Sequence, residues 1–525
     1  MTQGARSKFS EIFRSSFVMS IATFSSRILG LVRELALAAI FGASGWTDAF
    51  NVAYRIPNML RDLFAEGSFS AAFVPIFSKC KNNADSEQDP ASLLWSSFLL
   101  VTLMTGAVVI GIEIFAEQIV SLMTSQSYVD NREKFEITVQ LVRIMAPFLT
   151  LVSWAAIFMG ALNTFKIFFI PAFAPVTFNV AMITAIVFGS KWFEAKGLNP
   201  ILALGWGVLI GGAFQFLFQF PSLIKQKLAP KGGIVLWNQN SKDILHRLGI
   251  GSVGIATNQI NIIVNTILAT GTVVGAVSWL SYAFRLFQFP VGILSVSVAN
   301  SNLVHFSEAW KQDRREDAVE YFRTSVTFSM VLIFFASMLL IVLSEPSVHL
   351  VFQRGAFGFD DTLQTQKVLK LYALGLPFYG LYKLLAPTFF AIDLPKLPVK
   401  VSMFSVSLNI IFCVLLTPKY GFLVLPLGTT LSIFSSATIL SVLLMRELKQ
   451  SLKDVFLVIT IKTFAAALLS GFLLNYLRQL IFDFDSSFLV KSGSFVALCL
   501  IGALVYFGLL FLFGERKFLK KILSK

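Results

Sequence analysis

The chain has 525 residues, of which 56% are hydrophobic and only 14% are charged, and its formal net charge is +14 at pH 7. This leaves too little polar material to cover a water-soluble globule of this size, so the composition excludes a large soluble domain. Long apolar runs without two-residue alternation also exclude an outer-membrane barrel, because backbone groups in lipid must be paired within helices or closed sheets. The sequence therefore predicts an all-α polytopic membrane protein.

About fourteen apolar runs follow one another, each long enough for the roughly 20 helical residues that cross a hydrocarbon core. We number these predicted spans 1 to 14, in the order 17–41, 48–78, 92–114, 137–162, 171–190, 200–222, 244–270, 272–304, 321–343, 367–391, 397–417, 422–445, 455–477 and 490–513. Span 1 contains Arg27 and Arg33 and no small-residue cleavage site follows it, which favours a retained helix over a secretory signal.

Basic residues concentrate in alternate loops. With a cytoplasmic N-terminus, roughly two dozen Lys and Arg residues fall inside and fewer than about ten outside, as the positive-inside rule expects. The sequence thus predicts cytoplasmic N- and C-termini. The net charge is explained by topology and by anionic lipid of the bilayer, so nucleic acid is not a predicted partner.

An internal repeat emerges at an offset of about 230 residues. Pro147-Phe148 then aligns with Pro377-Phe378, and Asn179 aligns with Asn409. Six spans separate the copies, so both keep the same orientation, which predicts two lobes related by an axis along the membrane normal. The predicted domains are an N-terminal lobe at 1–222 with spans 1–6, a C-terminal lobe at 223–446 with spans 7–12, and spans 13–14 with a basic tail at 447–525.

Polar residues inside the spans lie on single helix faces. Placing a charge at mid-bilayer costs several kcal/mol unless it faces protein or water, so function is the default hypothesis for these stripes. In the first lobe, Ser26, Gly30 and Arg33 follow i, i+4, i+7 spacing on span 1, and Asn51, Arg55, Asn58 and Asp62 continue this spacing on span 2. In the second lobe the stripes are Asn258, Asn261 and Asn265 on span 7 and Ser278, Ser281, Arg285 and Gln288 on span 8, with Lys383 of span 10 as a further lining residue.

The stripes contain more cations than anions. The cations outnumber the acids by five to four. The arginines are Arg27, Arg33, Arg55, Arg61 and Arg285, and the acids are Glu34, Asp48, Asp62 and Glu66. Because the forked guanidinium suits phosphate, a cavity built from these faces is expected to bind an anion, preferably a phosphate or pyrophosphate. We assign Arg27, Arg33, Arg61 and Arg285 to this ligand and expect Arg55 to pair structurally with Asp48 or Asp62. The competing interpretation is that the arginines snorkel to the interfaces or pair internally, for example Arg33 with Glu66.

Other sequence features predict helix capping and packing, or argue against metal binding and catalysis. Asp48 either caps span 2 or tunes the site. Gly207 and Gly211 form a helix-packing motif, and the isolated cations Arg143 and Lys462 are expected to snorkel. The three cysteines and three histidines are too scattered for a disulfide framework or zinc site, so we predict no metal, no cofactor and no catalytic residue.

Several segments resemble the N-terminal signature of the MurJ (MviN) family. They are Ser25-Ser26-Arg27-Ile-Leu-Gly30-Leu-Val-Arg33-Glu34, Phe41-Gly42-Ala43, Thr47-Asp48-Ala49-Phe50, Pro57-Asn58-Met-Leu-Arg61 and Ala65-Glu66-Gly67-Ser68-Phe69-Ser70. Later segments are similar too: Gln259-Ile-Asn261 with Asn265-Thr266, Phe352-Gln-Arg-Gly355-Ala-Phe357 and Lys383-Leu-Leu-Ala386-Pro387. The resemblance extends from span 1 through at least span 11.

The resemblance implies a lipid II flippase of the bacterial inner (cytoplasmic) membrane, in the MOP superfamily, with fourteen helices, two six-helix lobes and alternating access. Its substrate would be lipid II, the undecaprenyl-pyrophosphate-linked precursor of cell-wall synthesis, moved from the cytoplasmic to the periplasmic leaflet. Arg27, Arg33, Arg61 and Arg285 match the family's cavity arginines, and Ser26, Asp48 and Glu66 match its supporting polar positions. Spans 13 and 14 would form a groove for the lipid tail, and cell-wall synthesis proteins are conceivable partners.

The sequence departs from the family pattern beside Arg285. Many members carry acids just before this arginine and three residues after it, where this chain has Phe284 and Gln288. Two energy sources stay open, the membrane potential and a coupling ion.

Other functions would make different demands on the sequence. A multidrug antiporter of the same superfamily would need a buried excess of acids, and an exporter of another lipid-linked oligosaccharide would share the arginine cavity. A membrane glycosyltransferase would need a catalytic acid or base on a loop at the membrane face, and the loops contain no such cluster.

Overall fold

The computed structural model describes residues 3–62, 68–82, 89–229 and 239–515; in residues 3–18, 20, 68–71, 247 and 249–258 it describes the backbone alone. Glu66 and the side chain of Asn258, both predicted site groups, therefore lie outside the described part. Every regular element within the described residues is helical, which confirms the predicted all-α class. The chain divides into two compact units, Met1–Gly275 and Ala276–Lys525.

The described residues of the first unit form thirteen α-helices and one π-helical turn, Ala185–Gly189. The α-helices are α1 (Gln3–Phe41), α2 (Gly45–Arg61), α3 (Ser68–Asn82), α4 (Pro90–Ile114), α5 (Ala116–Met123), α6 (Gln126–Asp130), α7 (Arg132–Met145), α8 (Phe148–Thr164), α9 (Phe169–Thr184), α10 (Ser190–Ala195), α11 (Leu202–Leu217), α12 (Phe220–Lys225) and α13 (Gln239–Thr270).

The second unit contains nine described α-helices, with π-helical turns at Val291–Ser295 and Asp454–Ile459 and a short 3₁₀ turn at Gly421–Leu423. The α-helices are α14 (Ala276–Pro290), α15 (Val296–Lys311), α16 (Arg315–Val342), α17 (Ser344–Phe352), α18 (Phe359–Ala391), α19 (Lys396–Tyr420), α20 (Val424–Leu448), α21 (Thr460–Ile481) and α22 (Phe488–Leu512).

Each predicted span overlaps a described helix, but some spans are divided. Span 2 corresponds to α2 and α3, on either side of residues that are not described. Span 4 is divided into α7 and α8 at Ala146 and Pro147, because Pro147 has no backbone N–H to continue the hydrogen bonds of α7. The predicted lobe limits at 222 and 446 differ from the division at Gly275 and stay predictions.

Nine stretches of the described residues are long and apolar enough to cross a membrane. They are Pro90–Ile114, Arg132–Thr164, Phe169–Ala195, Leu202–Lys225, Ala276–Lys311, Arg315–Val342, Lys396–Leu448 (which holds both α19 and α20), Asp454–Ile481 and Phe488–Leu512. The described helices outside this set include α1, α2, α13 and α18. These four carry every predicted site residue within the described part except Arg285 and Gln288, so their polar residues explain why they are less apolar.

Two apolar cores hold the first unit together. In one, Leu37 of α1 and Phe50 of α2 pack with Phe148 and Phe178, together with residues of α7 and α11. In the other, Phe73, Phe77 and Phe158 pack with residues of α4, α12 and α13. α1 and α2 are thus positioned by apolar contacts on one side, which leaves their polar residues to meet other helices.

Helix α11 approaches α9 closely through glycines. A Cβ atom on Gly207 would lie 2.5 Å from Ala185 Cβ, and one on Gly211 would lie 2.8 Å from Phe178 Cδ2. Neither distance is sterically possible without a shift, so this interface depends on glycine. The packing role predicted for these two residues is confirmed.

In the second unit, α18 packs against α14, α16 and α20, and the α21–α22 pair packs on α16. The hydroxyl of Tyr506 in α22 donates to Val331 O of α16 at 2.9 Å. Lys462 Nζ in α21 forms an ion pair with Glu515 Oε1, just past α22, at 2.8 Å. The two C-terminal helices are therefore fixed to each other as well as to α16.

Candidate functional site in the polar helices

The turn between α1 and α2 is short and capped. Gly42 has φ of +62°, a left-handed conformation that glycine adopts without steric cost. Ser44 is the N-cap of α2, because its Oγ accepts a hydrogen bond from Thr47 N at 3.4 Å. Asp48 lies in the first turn of α2, so the N-cap interpretation of Asp48 is wrong.

Arg33 lies at the centre of a polar cluster between α1 and α9. Its Nη2 donates to Glu34 Oε1 at 2.7 Å, its Nη1 donates to Asn179 Oδ1 at 3.2 Å, and its Cζ lies 5.8 Å from the ring centroid of Phe178. The Arg33 side chain is 15% exposed. Because a guanidinium has five N–H groups and the described residues accept from two of them, donors remain for a ligand.

Asn179 also binds the backbone of α1. Its Nδ2 donates to Ser26 O at 3.1 Å, and a Cβ on Gly30 would lie 3.9 Å from the same nitrogen, in ordinary contact. Gly30 and Arg33 therefore face Asn179, as their spacing on α1 predicts, and Ser26 meets Asn179 through its backbone carbonyl. Ser26 is half-buried, whereas Arg27 is exposed.

Asp48 forms a different kind of site. Its carboxylate, on a residue that is 2% exposed, accepts from Gly275 N at 2.7 Å and pairs with Lys134 Nζ at 3.5 Å. Lys134 Nζ also lies 4.5 Å from the ring centroid of Tyr128, whose hydroxyl is 2.7 Å from Thr138 Oγ1. Burial raises the pKa of Tyr128 above its ordinary value, so this hydroxyl stays neutral. The arrangement ties α2, α7 and the end of the first unit together.

The second half of α2 meets α13 through polar contacts. Arg61 Nη2 pairs with Asp62 Oδ1 at 3.2 Å, and Gln259 Nε2 of α13 donates to Asp62 Oδ2 at 3.5 Å. Arg55, expected to pair with Asp48 or Asp62, donates to Thr266 Oγ1 of α13. Asn58 on α2 and Asn261 on α13 are half-buried.

The predicted site residues of the second unit are more accessible. Arg285 and Gln288 are both exposed on α14. Phe284, the residue before Arg285, stacks on Phe287 with ring centroids 5.7 Å apart. Lys383 of α18 is half-buried, and its Nζ lies 5.4 Å from the ring centroid of Tyr379.

Sequence reasoning did not identify the partners of these residues. From the sequence, Asn179 marks only the internal repeat, Gln259 and Thr266 occur only within segments that resemble the family, and Lys134 has no predicted role. An asparagine inside an otherwise apolar span was a usable signal for Asn179, because a polar group in lipid needs a partner. Lys134 carried no such signal, since it lies close to the predicted edge of span 4.

Most of the chain matches one protein family. The family described as lipid II flippase MurJ matches residues 37–493. The probable lipid II flippase MurJ of Buchnera aphidicola subsp. Acyrthosiphon pisum is 34% identical over 437 residues, covering 82% of this chain and 83% of that protein. Lipid II flippase MurJ of Burkholderia cenocepacia is 34% identical over 447 residues, covering 84% of each.

Solved structures give the same answer for the fold. A lipid II flippase MurJ in an inward closed conformation aligns with a TM-score of 0.79 and 28% identity, covering 96% of this chain and 100% of that one. An inward-facing MATE transporter of the MOP superfamily aligns with a TM-score of 0.65 at 13% identity, covering 82% and 98%, which is a likeness of fold alone. This chain is a multi-pass membrane protein that belongs to the lipid II flippase MurJ family.

Proposed function

We propose that this chain flips lipid II from the cytoplasmic to the periplasmic leaflet of the bacterial inner membrane. The observation that carries the proposal is the match to the flippase family over residues 37–493, joined by relatives of the same name that align over more than four fifths of their length. Its role is transport for cell-wall synthesis rather than bond-making chemistry.

The pyrophosphate of lipid II is bound by arginines in this proposal. Arg33 supports it best, because the guanidinium is held by Glu34 and Asn179 but keeps N–H groups that can form a fork with phosphate oxygens. Arg27 and Arg61 of the first unit and Arg285 of the second supply further positive charge. Ser26, Asn58, Asn261, Gln288 and Lys383 have supporting roles.

We infer that transport proceeds by alternating access. A pyrophosphate bound more tightly in some conformations than in others would shift the balance between them, and only such differential binding allows a ligand to drive a conformational change. MATE transporters of related fold have been solved in inward-facing and outward-facing conformations, which supports the same cycle here.

The decisive experiment measures lipid II accessibility on the outer face of cells. Cells depleted of their own flippase would be complemented with this chain, and surface lipid II would be quantified with a membrane-impermeant probe. We expect the wild-type chain to restore both surface lipid II and growth. Restored export of another lipid-linked oligosaccharide without lipid II would favour the alternative substrate.

Orientation is tested separately by cysteine labelling. The native Cys80, Cys413 and Cys499 would first be replaced, and single cysteines introduced at Ser44, Asp360 and Gln312. With cytoplasmic termini, Ser44 and Asp360 label from outside and Gln312 does not. The opposite pattern would reverse the proposed direction of transport.

A further inference from the structure

The second unit contains an apolar cleft that the proposed function does not use. It has a cavity volume of about 860 Å³ and lies between α21 on one side and α16, α18 and α20 on the other. The described lining residues include none from α22, so this cleft is distinct from a groove between spans 13 and 14. Its volume falls in the range of ligand pockets, roughly 300–1,000 Å³.

The cleft opens sideways to the surroundings of the protein. Its lining residues Leu374, Phe434 and Phe472 are 47%, 44% and 71% exposed, although all three are large and apolar. In a bilayer these side chains face hydrocarbon, where water is excluded. The cleft is therefore suited to hydrocarbon chains.

One end of the cleft is cationic. Lys370 and Arg478 line it there, and Arg478 Nη1 pairs with Glu345 Oε2 at 3.1 Å. No described carboxylate lies within 4.0 Å of Lys370 Nζ, so two cations share one acid and the end carries one net positive charge. A hydrocarbon chain alone gives no reason for this charge, whereas an anionic head group does.

The depth of this end suits a lipid head group. Lys370 lies three residues after the start of predicted span 10 at residue 367, so it is about 5 Å inside the hydrocarbon core by this prediction. From there the lysine side chain can extend to the phosphate level of one leaflet.

We propose that this cleft binds an anionic phospholipid of the surrounding bilayer, with its acyl chains between α21 and α18 and its phosphate on Lys370 and Arg478. The bilayer presents such a lipid to the open side of the cleft at high concentration, and a single phosphate charge matches the single net charge of the site. The proposal is independent of lipid II transport, because it concerns a resident lipid rather than the substrate.

The test measures which lipids stay with the purified full-length protein. The chain would be incorporated into vesicles of phosphatidylethanolamine with either phosphatidylglycerol or a polyprenyl phosphate, extracted in mild detergent, and its bound lipid quantified by mass spectrometry. We expect retention of phosphatidylglycerol. K370M should lower it about fivefold, the factor for one lysine at a membrane surface. The matched control is K367M, because Lys367 is exposed on the same helix and does not line the cleft.

A bulky side chain introduced into the cleft tests lipid binding independently. L468W places a large side chain at a lining position, and L469W places it on the neighbouring residue, which does not line the cleft. We expect L468W to displace the lipid and L469W to retain it. Equal retention in K370M and K367M, equal retention in L468W and L469W, or preference for the polyprenyl phosphate or for phosphatidylethanolamine would overturn the proposal.

Discussion

Two charged clusters in the first unit use their charges differently. Asp48 is 2% exposed and accepts hydrogen bonds from a backbone N–H and a lysine, and this lysine is itself only 11% exposed. Arg33 is 15% exposed, has two described acceptors for five N–H groups, and lies beside a glycine that leaves space. The comparison teaches that burial alone does not separate structural from ligand-binding charges. The two kinds of charge differ instead in how many hydrogen-bond donors or acceptors are still unused and in how much space lies beside the charged group.

The largest expected effect on stability is at Asp48. D48A leaves Lys134 and Gly275 N without this acceptor in a buried site, so we expect the free energy of unfolding to fall by about 3 kcal/mol. Thermal unfolding in detergent measures it. The double variant D48N/K134M should recover part of the loss because it removes the uncompensated charge. E136Q on the exposed face of α7 is the control, and equal midpoints for D48A and E136Q would contradict the structural role.

Arg33 should respond in transport rather than in stability. R33A removes the charged donor proposed for phosphate, so we expect lipid II flipping to fall about 10- to 100-fold, the range for a loss of roughly 1.5–3 kcal/mol. R33K should restore little, because lysine keeps the charge but loses the fork. Surface lipid II and membrane abundance would be measured together. Failure of R33A to accumulate, even when combined with E34Q, would make Arg33 structural like Asp48.

Helix α9 contacts a glycine on each of two sides, Gly30 of α1 and Gly211 of α11. A methyl group on Gly211 would meet Phe178 at 2.8 Å, whereas one on Gly30 would meet Asn179 at 3.9 Å. We expect G211A to cost about 1–3 kcal/mol of unfolding free energy by overpacking. G30A should be neutral or stabilising by up to about 1 kcal/mol, because alanine is the better helix former. A larger loss of stability in G30A than in G211A on thermal unfolding would show that the free space lies between α9 and α11 rather than between α9 and α1.

The smallest expected effect is at Asn179. N179A removes one acceptor of Arg33, so flipping should fall only about fivefold, which corresponds to roughly 1 kcal/mol. N179D should be more harmful than N179A, because a second carboxylate beside Arg33 would compete with the phosphate. If Asn179 only supports the fold, N179D should lower the unfolding midpoint, because a carboxylate cannot donate to Ser26 O, and transport should fall only in proportion to membrane abundance.

Hydrocarbon thickness explains why the spans could be predicted from the sequence. Each crossing needs about 20 apolar residues whatever its neighbours are, so runs such as 92–114 and 490–513 lie close to α4 and α22. The start of α2 could not be fixed, because Ser44 and Asp48 are both good cap residues four positions apart. The structure selects Ser44 through the turn at Gly42.

The sequence could predict which site residues share one helix face, but not which residues of other helices they contact. The face shared by Ser26, Gly30 and Arg33 follows from helical periodicity. Asn179, however, lies 146 residues from Arg33 along the chain, and Lys134 lies 86 from Asp48. Such pairs depend on packing between helices, which hydropathy does not encode.

The partners of two isolated cations could not be predicted from the sequence either. Arg143 and Lys462, both expected to snorkel, have acidic partners at 3.6 Å and 2.8 Å, in Glu117 and Glu515. The exposed Arg143 pair contributes little. The Lys462 pair is the more protected, with side chains 33% and 15% exposed.

The pair between Lys462 and Glu515 bears on how the protein is made. The two residues are 53 positions apart. At synthesis rates of about 5–20 residues per second, Lys462 is made roughly 3–10 s before its partner exists. Until Glu515 is made, Lys462 lacks this ion-pair partner. Final docking of α21 therefore waits for the last helix, so the α21–α22 pair is expected to assemble as a late step of biogenesis.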